Sequence, residues 1–268
     1  MPDGDSVWRK IMLIIRKEQM EIFEQTALRN FENDMIDHLK DFSPGHSRAL
    51  GPDGVRKTVR LGIDRAATYG LTDRGPVMFY IEMMFMLGSY FDSDCQYPWA
   101  PRILTDETIE QQAERADTLF DQLMEFVDMA AGPGREYAIE SLTKAGRLDF
   151  KELCHVQTGM KADLLSRLRH NYPQKCRFIG EAALNELVEK GRETAQNYSL
   201  ENDAGIICFT WLMFTLGHGF DRDPLYPWCE SILNSEDIDD PLKRAEKLYS
   251  VFRVYITKAI EHLTSNGR

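Results

Sequence analysis

The chain has 268 residues, 43% of them hydrophobic, with five cysteines and a formal net charge of −11 at a sequence pI of about 5.1. That is enough apolar material for a sizeable core, or for two units of ordinary domain size, without disulfide or metal staples. The acidic balance argues against nucleic-acid binding through a general positive field. The odd, scattered cysteines contain no CxxC, which points to free thiols in a reducing compartment rather than a disulfide framework or a zinc site.

The first apolar run, 11–15, is short and closely flanked by charge, so it is no signal peptide. Residues 14–42 carry Ile14, Met20, Phe23, Leu28, Phe31, Ile36 and Leu39 at spacings of mostly three to five, a helical pattern that Pro44-Gly45 should end. A second helix is expected over 51–69. A third, over 73–90, opens with Pro76 in its first turn and is apolar nearly all round, the mark of a central buried helix. Its longest apolar stretch, 77–87, is interrupted by Glu82 and is too short to cross a bilayer, so no membrane insertion and a cytoplasmic location are expected. A fourth helix is expected over 106–130. Gly132-Pro133-Gly134 follows as a boundary, then an extra helix over 135–146 and further helices over 158–170, 180–197, 202–219 and 238–264. Period-two alternation is absent, so no significant sheet is expected.

The order of these elements reflects an internal repeat. Shifting the sequence by about 129 positions lays Phe91-Asp92-Ser93-Asp94-Cys95-Gln96-Tyr97-Pro98-Trp99 on Phe220-Asp221-Arg222-Asp223-Pro224-Leu225-Tyr226-Pro227-Trp228. Leu87-Gly88 falls on Leu216-Gly217, Tyr69 on Tyr198 and Arg115-Ala116 on Arg244-Ala245, without a gap. The expected fold is therefore all-α, a tandem duplication of one multi-helix unit, with a first repeat over 1–131, a second over 132–268, and pseudo-symmetric halves sharing a core.

The repeated motif, Phe-Asp-x-Asp-x-x-Tyr-Pro-Trp after Leu-Gly, admits two readings. In one, the motif is a paired loop that presents Asp92, Asp94, Asp221 and Asp223, with His218 near them, to a cation or to a basic partner, since Asp-x-Asp can supply oxygen ligands to a hard cation. In the other the motif is structural. Gly88 and Gly217 then allow a close helix end, the aspartates accept backbone N–H bonds, and Phe91, Tyr97, Trp99, Phe220, Tyr226 and Trp228 are core rings with their polar tips hydrogen-bonded. General packing considerations favour the second reading. No EF-hand loop, phosphate loop, GxSxG or HExxH is present. His218 is the best lone catalytic candidate, but Ser89 stands at the matching position and no nucleophile or metal set accompanies it. No catalytic residue, metal or cofactor is assigned.

The two Leu-Gly…Phe-Asp-x-Asp…Tyr-Pro-Trp blocks, with Ile15-Arg16-Lys17-Glu18-Gln19-Met20, resemble an uncharacterised all-helical family of proteobacteria associated with type VI secretion spike (PAAR-type) proteins and their toxic effectors. The resemblance implies a non-enzymatic accessory role, as an effector chaperone or adaptor, or as a cognate immunity protein. It carries over no site residues. The alternative from another class is a helical hydrolase or small-ligand-binding enzyme with its site between the two repeats.

Overall fold

The computed structural model describes residues 4–265, and among them every regular element is helical. The helices are α1 (Gly4–Phe42), α2 (Pro44–Thr68), α3 (Arg74–Leu87), α4 (Trp99–Leu104), α5 (Gln112–Phe126), α6 (Glu136–Arg147), α7 (Phe150–Cys154), α8 (Met160–Asn171), α9 (Pro173–Gln196), α10 (Asp203–Leu216), α11 (Pro227–Leu233) and α12 (Pro241–Ser265). A 3-10 turn at Phe91–Ser93 follows α3, and α5 runs on into a π turn at Val127–Ala131. No helix among the described residues is long and apolar enough to cross a membrane.

By contact the chain divides into two compact units, Met1–Arg60 and Leu61–Arg268. This division lies inside α2 and is a different one from the boundary at 131/132 expected from the sequence. In the first unit, Glu32 on α1 is buried and joined to α2 by Arg56 (2.7 Å) and by Arg60 through two bonds (2.6 and 3.0 Å). The pair of guanidiniums holds the Glu32 carboxyl below its ordinary range. Beyond this clamp α1 runs on with residues 19–30 all exposed.

In the second unit α10 is the central element. Its residues 205–214 are all buried, and it touches α7, α8, α9 and α12. A helix apolar on every side needs cover on every side, and four neighbours supply it. Close approach demands small residues at the crossings. A Cβ on Gly191 of α9 would lie 2.1 Å from Thr210 Oγ1 of α10, and one on Gly62 of α2 would lie 2.5 Å from Ile81 Cγ1 of α3.

Several boundaries differ from expectation. α1 stops at Phe42, where Pro44-Gly45 set its end, but Pro44 begins no loop. It opens α2 one residue after α1 stops, because proline lacks only an N–H that the first turn leaves unpaired anyway. Pro173 does the same for α9. The true irregularities come later, at Gly51 (φ 65°) and Gly180 (φ 80°), where each helix kinks. Both tryptophans of the motif were expected in loops. Each instead sits at the start of a short helix, α4 and α11, with Pro98 and Pro227 at the entry. The short α7 was also unanticipated. Its signal was local, since Asp149 and Glu152 form a capping box.

Candidate functional site

The repeated motif sits where α3 and α10 end. Gly88 (φ 99°) returns its N–H to Met84 O at 2.9 Å, and Gly217 (φ 105°) to Met213 O at 3.0 Å. Both are in the left-handed half of backbone space, and there is no room for a side chain at either. A Cβ on Gly88 would meet Leu216 O at 2.8 Å, and one on Gly217 would meet Leu87 O at 3.0 Å. The carbonyl ends of two helices thus touch, which brings their negative ends together. Two donors offset this at α10. Lys175 Nζ bonds Phe214 O at 2.6 Å and lies 4.3 Å from the Phe214 ring centroid, while Gln96 Nε2 bonds Met213 O at 3.2 Å. Burial holds the Lys175 ammonium down at about 8, against the pull of nearby Asp94.

The four aspartates face inward, at 1–3% exposure. Two of them tie the helix ends to each other. Asp94 accepts from His218 N (2.9 Å), Gln96 N (2.9 Å) and Gln96 Nε2 (3.0 Å). Asp223 accepts from Ser89 N (2.7 Å), Ser89 Oγ (2.6 Å) and Leu225 N (2.9 Å). Each carboxylate therefore caps the turn that follows the other helix. Burial works against charge at both, but with opposite outcomes. At Asp94 the His218 ring, 3.5 Å away, and the backbone donors outweigh burial and hold the carboxyl below its ordinary range. At Asp223 burial wins over the Ser89 and Leu225 donors and the carboxyl is pushed up.

The other two aspartates anchor the 3-10 turn and its counterpart to neighbouring helices. Asp92 Oδ2 accepts from Tyr69 Oη (3.0 Å) and Tyr80 Oη (2.7 Å), and Oδ1 accepts from Arg65. Asp221 Oδ2 accepts from Tyr198 Oη at 2.8 Å. Burial, then the Asp92 charge, pushes the Tyr69 phenol up to about 12.

Other contacts recur 129 residues on. Arg115 donates to the carbonyls of Tyr69, Asp106 and Ile109 (2.9, 3.1 and 2.6 Å), and Arg244 to those of Tyr198, Ser235 and Ile238 (2.9, 3.2 and 2.6 Å). The ring pair Tyr80–Phe91 at 4.9 Å matches Phe209–Phe220 at 4.8 Å, and the edge-on pair Tyr97–Phe126 matches Tyr226–Tyr255. Phe91, Tyr97, Trp99, Phe220 and Tyr226 are buried, whereas Trp228 is only half-buried. The expectation that the indoles would be hydrogen-bonded is corrected. Trp99 Nε1 and Trp228 Nε1 are buried without an acceptor among the described residues.

The four aspartates form no open acidic surface: internal donors engage both oxygens of Asp92, Asp94 and Asp223 below the surface, whereas at Asp221 only Oδ2 is engaged. His218 is the most accessible of the five proposed contact residues, with its side chain 14% exposed and edge-on to Tyr90. Ser89, which stands at the position matching His218, is buried and donates its hydroxyl to Asp223 Oδ1 at 2.6 Å. No group of three metal-ligating side chains converges among the described residues. A groove of about 790 Å³ lies elsewhere, between α12 and the α6–α7 junction, with Asp149, Phe150, Tyr249 and Arg253 on its walls. Arg65, Tyr80, Gln96 and Lys175 were missed as partners of the motif. Arg65, Tyr80 and Lys175 lie outside the motif, and Gln96, though within it, has Leu225 at the matching position, so only the matched pairs Tyr69/Tyr198 and Arg115/Arg244 carried a signal. Comparison with protein-family models, with curated proteins and with solved structures returned no match.

Proposed function

We propose that this protein is a non-enzymatic accessory factor, a tandem duplication of one helical unit, that binds a protein partner through the free part of α1. The recurrence of buried contacts at one fixed offset supports the duplication. One observation carries the binding reading. Residues 19–30 of α1 are exposed on every face, and among them Met20 (62%), Ile22 (63%), Phe23 (73%) and Leu28 (45%) are large and apolar. A helix of a few uncovered turns gains little from propensity alone, and its stability ordinarily comes from burying an apolar face. Glu21 and Glu24 sit beside Met20 and Phe23 in the sequence, so the occupant that fits is an amphipathic segment whose apolar face is flanked by Lys or Arg. By the resemblance of its motifs, the partner is a type VI effector or its spike, and the role that of chaperone, adaptor or immunity protein.

The test is co-expression with the effector or spike protein encoded beside it. The parent should co-purify with it at stoichiometric ratio, and a Met20→Ser/Phe23→Ser variant should not, while melting within about 2 °C of the parent, as exposed substitutions do. If the variant instead converts a parent dimer to monomer, the face is a self-association surface and the partner reading fails. Within the reading, an immunity protein rescues cells from the toxin domain alone. A chaperone or adaptor raises the level or secretion of the full effector without neutralising it.

A further inference from the structure

Positions 129 apart that differ are as informative as those that match. Around Asp92 four donors converge: Tyr69 and Tyr80 on Oδ2, and the Arg65 guanidinium on Oδ1 with the Ser93 hydroxyl at a longer 3.5 Å. At the matching place Tyr198 is retained on Asp221 Oδ2, but Phe209 stands for Tyr80 and Thr194 for Arg65. The residue left short is Asp221, and the oxygen left short is the matching one. Asp221 is 3% exposed, and its Oδ1 has no hydrogen-bond partner among the described residues. An unpaired carboxylate oxygen in the interior forfeits its hydration with nothing in return. The adjacent cation does not fill the place. The Arg222 guanidinium lies over the Tyr90 ring, 4.6 Å from its centroid, as that of Arg65 does, but unlike Arg65 it makes no hydrogen bond to the matching carboxylate oxygen. The first site also shows the route in. Arg65 is 22% exposed and reaches a buried carboxylate from the surface, and Thr194 is half-buried at the equivalent point.

We propose that Asp221 Oδ1 receives a guanidinium from outside the chain, so that an arginine side chain of the protein partner takes at Thr194 the place that Arg65 takes beside Asp92. Guanidinium suits the position better than ammonium. Its fork of N–H groups matches a carboxylate, and it sheds water more readily on entering a partly buried site. The proposal rests on the partner-binding reading and adds a second contact, on a different unit from α1.

The test needs no partner. In an amide NMR titration with methylguanidinium chloride, against sodium chloride at equal ionic strength, the parent should show saturable shifts at Asp221, Tyr198 and Thr194 that sodium chloride does not produce. Thr194→Arg should supply the guanidinium in cis, abolish that titration, and raise Tm by about 2–4 °C. The rise should vanish in an Asp221→Asn background. Parent shifts no larger than those in sodium chloride would overturn the proposal. So would an undiminished titration in Thr194→Arg, or an equal Tm gain with and without Asp221. Because the probe is a small cation, failure here leaves the α1 capture experiment standing. Failure of α1 capture likewise leaves this titration intact.

Discussion

Asp94 and Asp223 occupy matching places and make matching bonds, yet their surroundings set them apart. Asp94 is held charged by His218 and three donors, so its ion contributes to stability at neutral pH. The contribution is present above the ordinary carboxylate range and is lost as pH falls through the lowered value. Asp223, with its carboxyl pushed up by burial, is less content as an ion. Asp94→Asn should therefore cost on the order of 1–3 kcal/mol at pH 7, and Asp223→Asn clearly less. Urea denaturation of both variants decides it, and equal losses would contradict the asymmetry. The rings follow the same logic of place. Trp99 is 5% exposed and Trp228 is half-buried, so Trp99→Ala should cost about 3–5 kcal/mol and Trp228→Ala less, by the same assay. At His46 burial holds the imidazole down at about 4. The unfolded chain takes up that proton near pH 6.5 and the folded chain does not, so stability is lost as pH falls from about 6.5 to 4. The stability of the parent relative to His46→Gln should decline over that window, and parallel pH profiles would show that His46 is not held neutral.

Among the elements, the long helices were legible, while their ends and the short α4, α7 and α11 were not. The apolar spacing of α1 and α12 follows from the 3.6-residue period, and α3 and α10 show as continuous apolar runs, both of which a local reading detects. Pro44, Pro98, Pro173 and Pro227 were harder, because proline opens a helix as readily as it closes one. Only the neighbouring packing decides between the two. Gly62 and Gly191 make the same point at a crossing. Alanine is the better helix former by about 1 kcal/mol, but a Cβ on Gly191 would stand 2.1 Å from Thr210 Oγ1. Gly191→Ala should therefore destabilise by about 1–3 kcal/mol from overpacking, and should regain much of that in Thr210→Ala. Thermal unfolding of the single and double variants measures it. A stabilised Gly191→Ala would mean that the crossing has slack.

At the scale of the molecule, a formal net charge of −11 opposes compaction. Raising the salt from about 0.01 to 0.15 M shortens the screening length from about 30 to 8 Å. Tm should rise by about 2 °C, corresponding to on the order of 0.5–1 kcal/mol. A fall would show that specific ion pairs such as Glu32 with Arg56 and Arg60 outweigh the general repulsion. The sequence by itself determined the helical class, the free thiols and the offset at which residues match. Each depends on local periodicity or composition, which survive without coordinates. Only the tertiary structure decided which way the motif faces. Asp-x-Asp on a turn can point to water or to the interior, and its direction depends on donors remote in sequence. Ser89 lies 134 residues from Asp223, and His218 lies 124 from Asp94. The same holds for Asp221. Its shortage of donors is visible only once Arg65, Tyr69 and Tyr80 are seen around Asp92, because whether a buried carboxylate is satisfied depends on every group that reaches it.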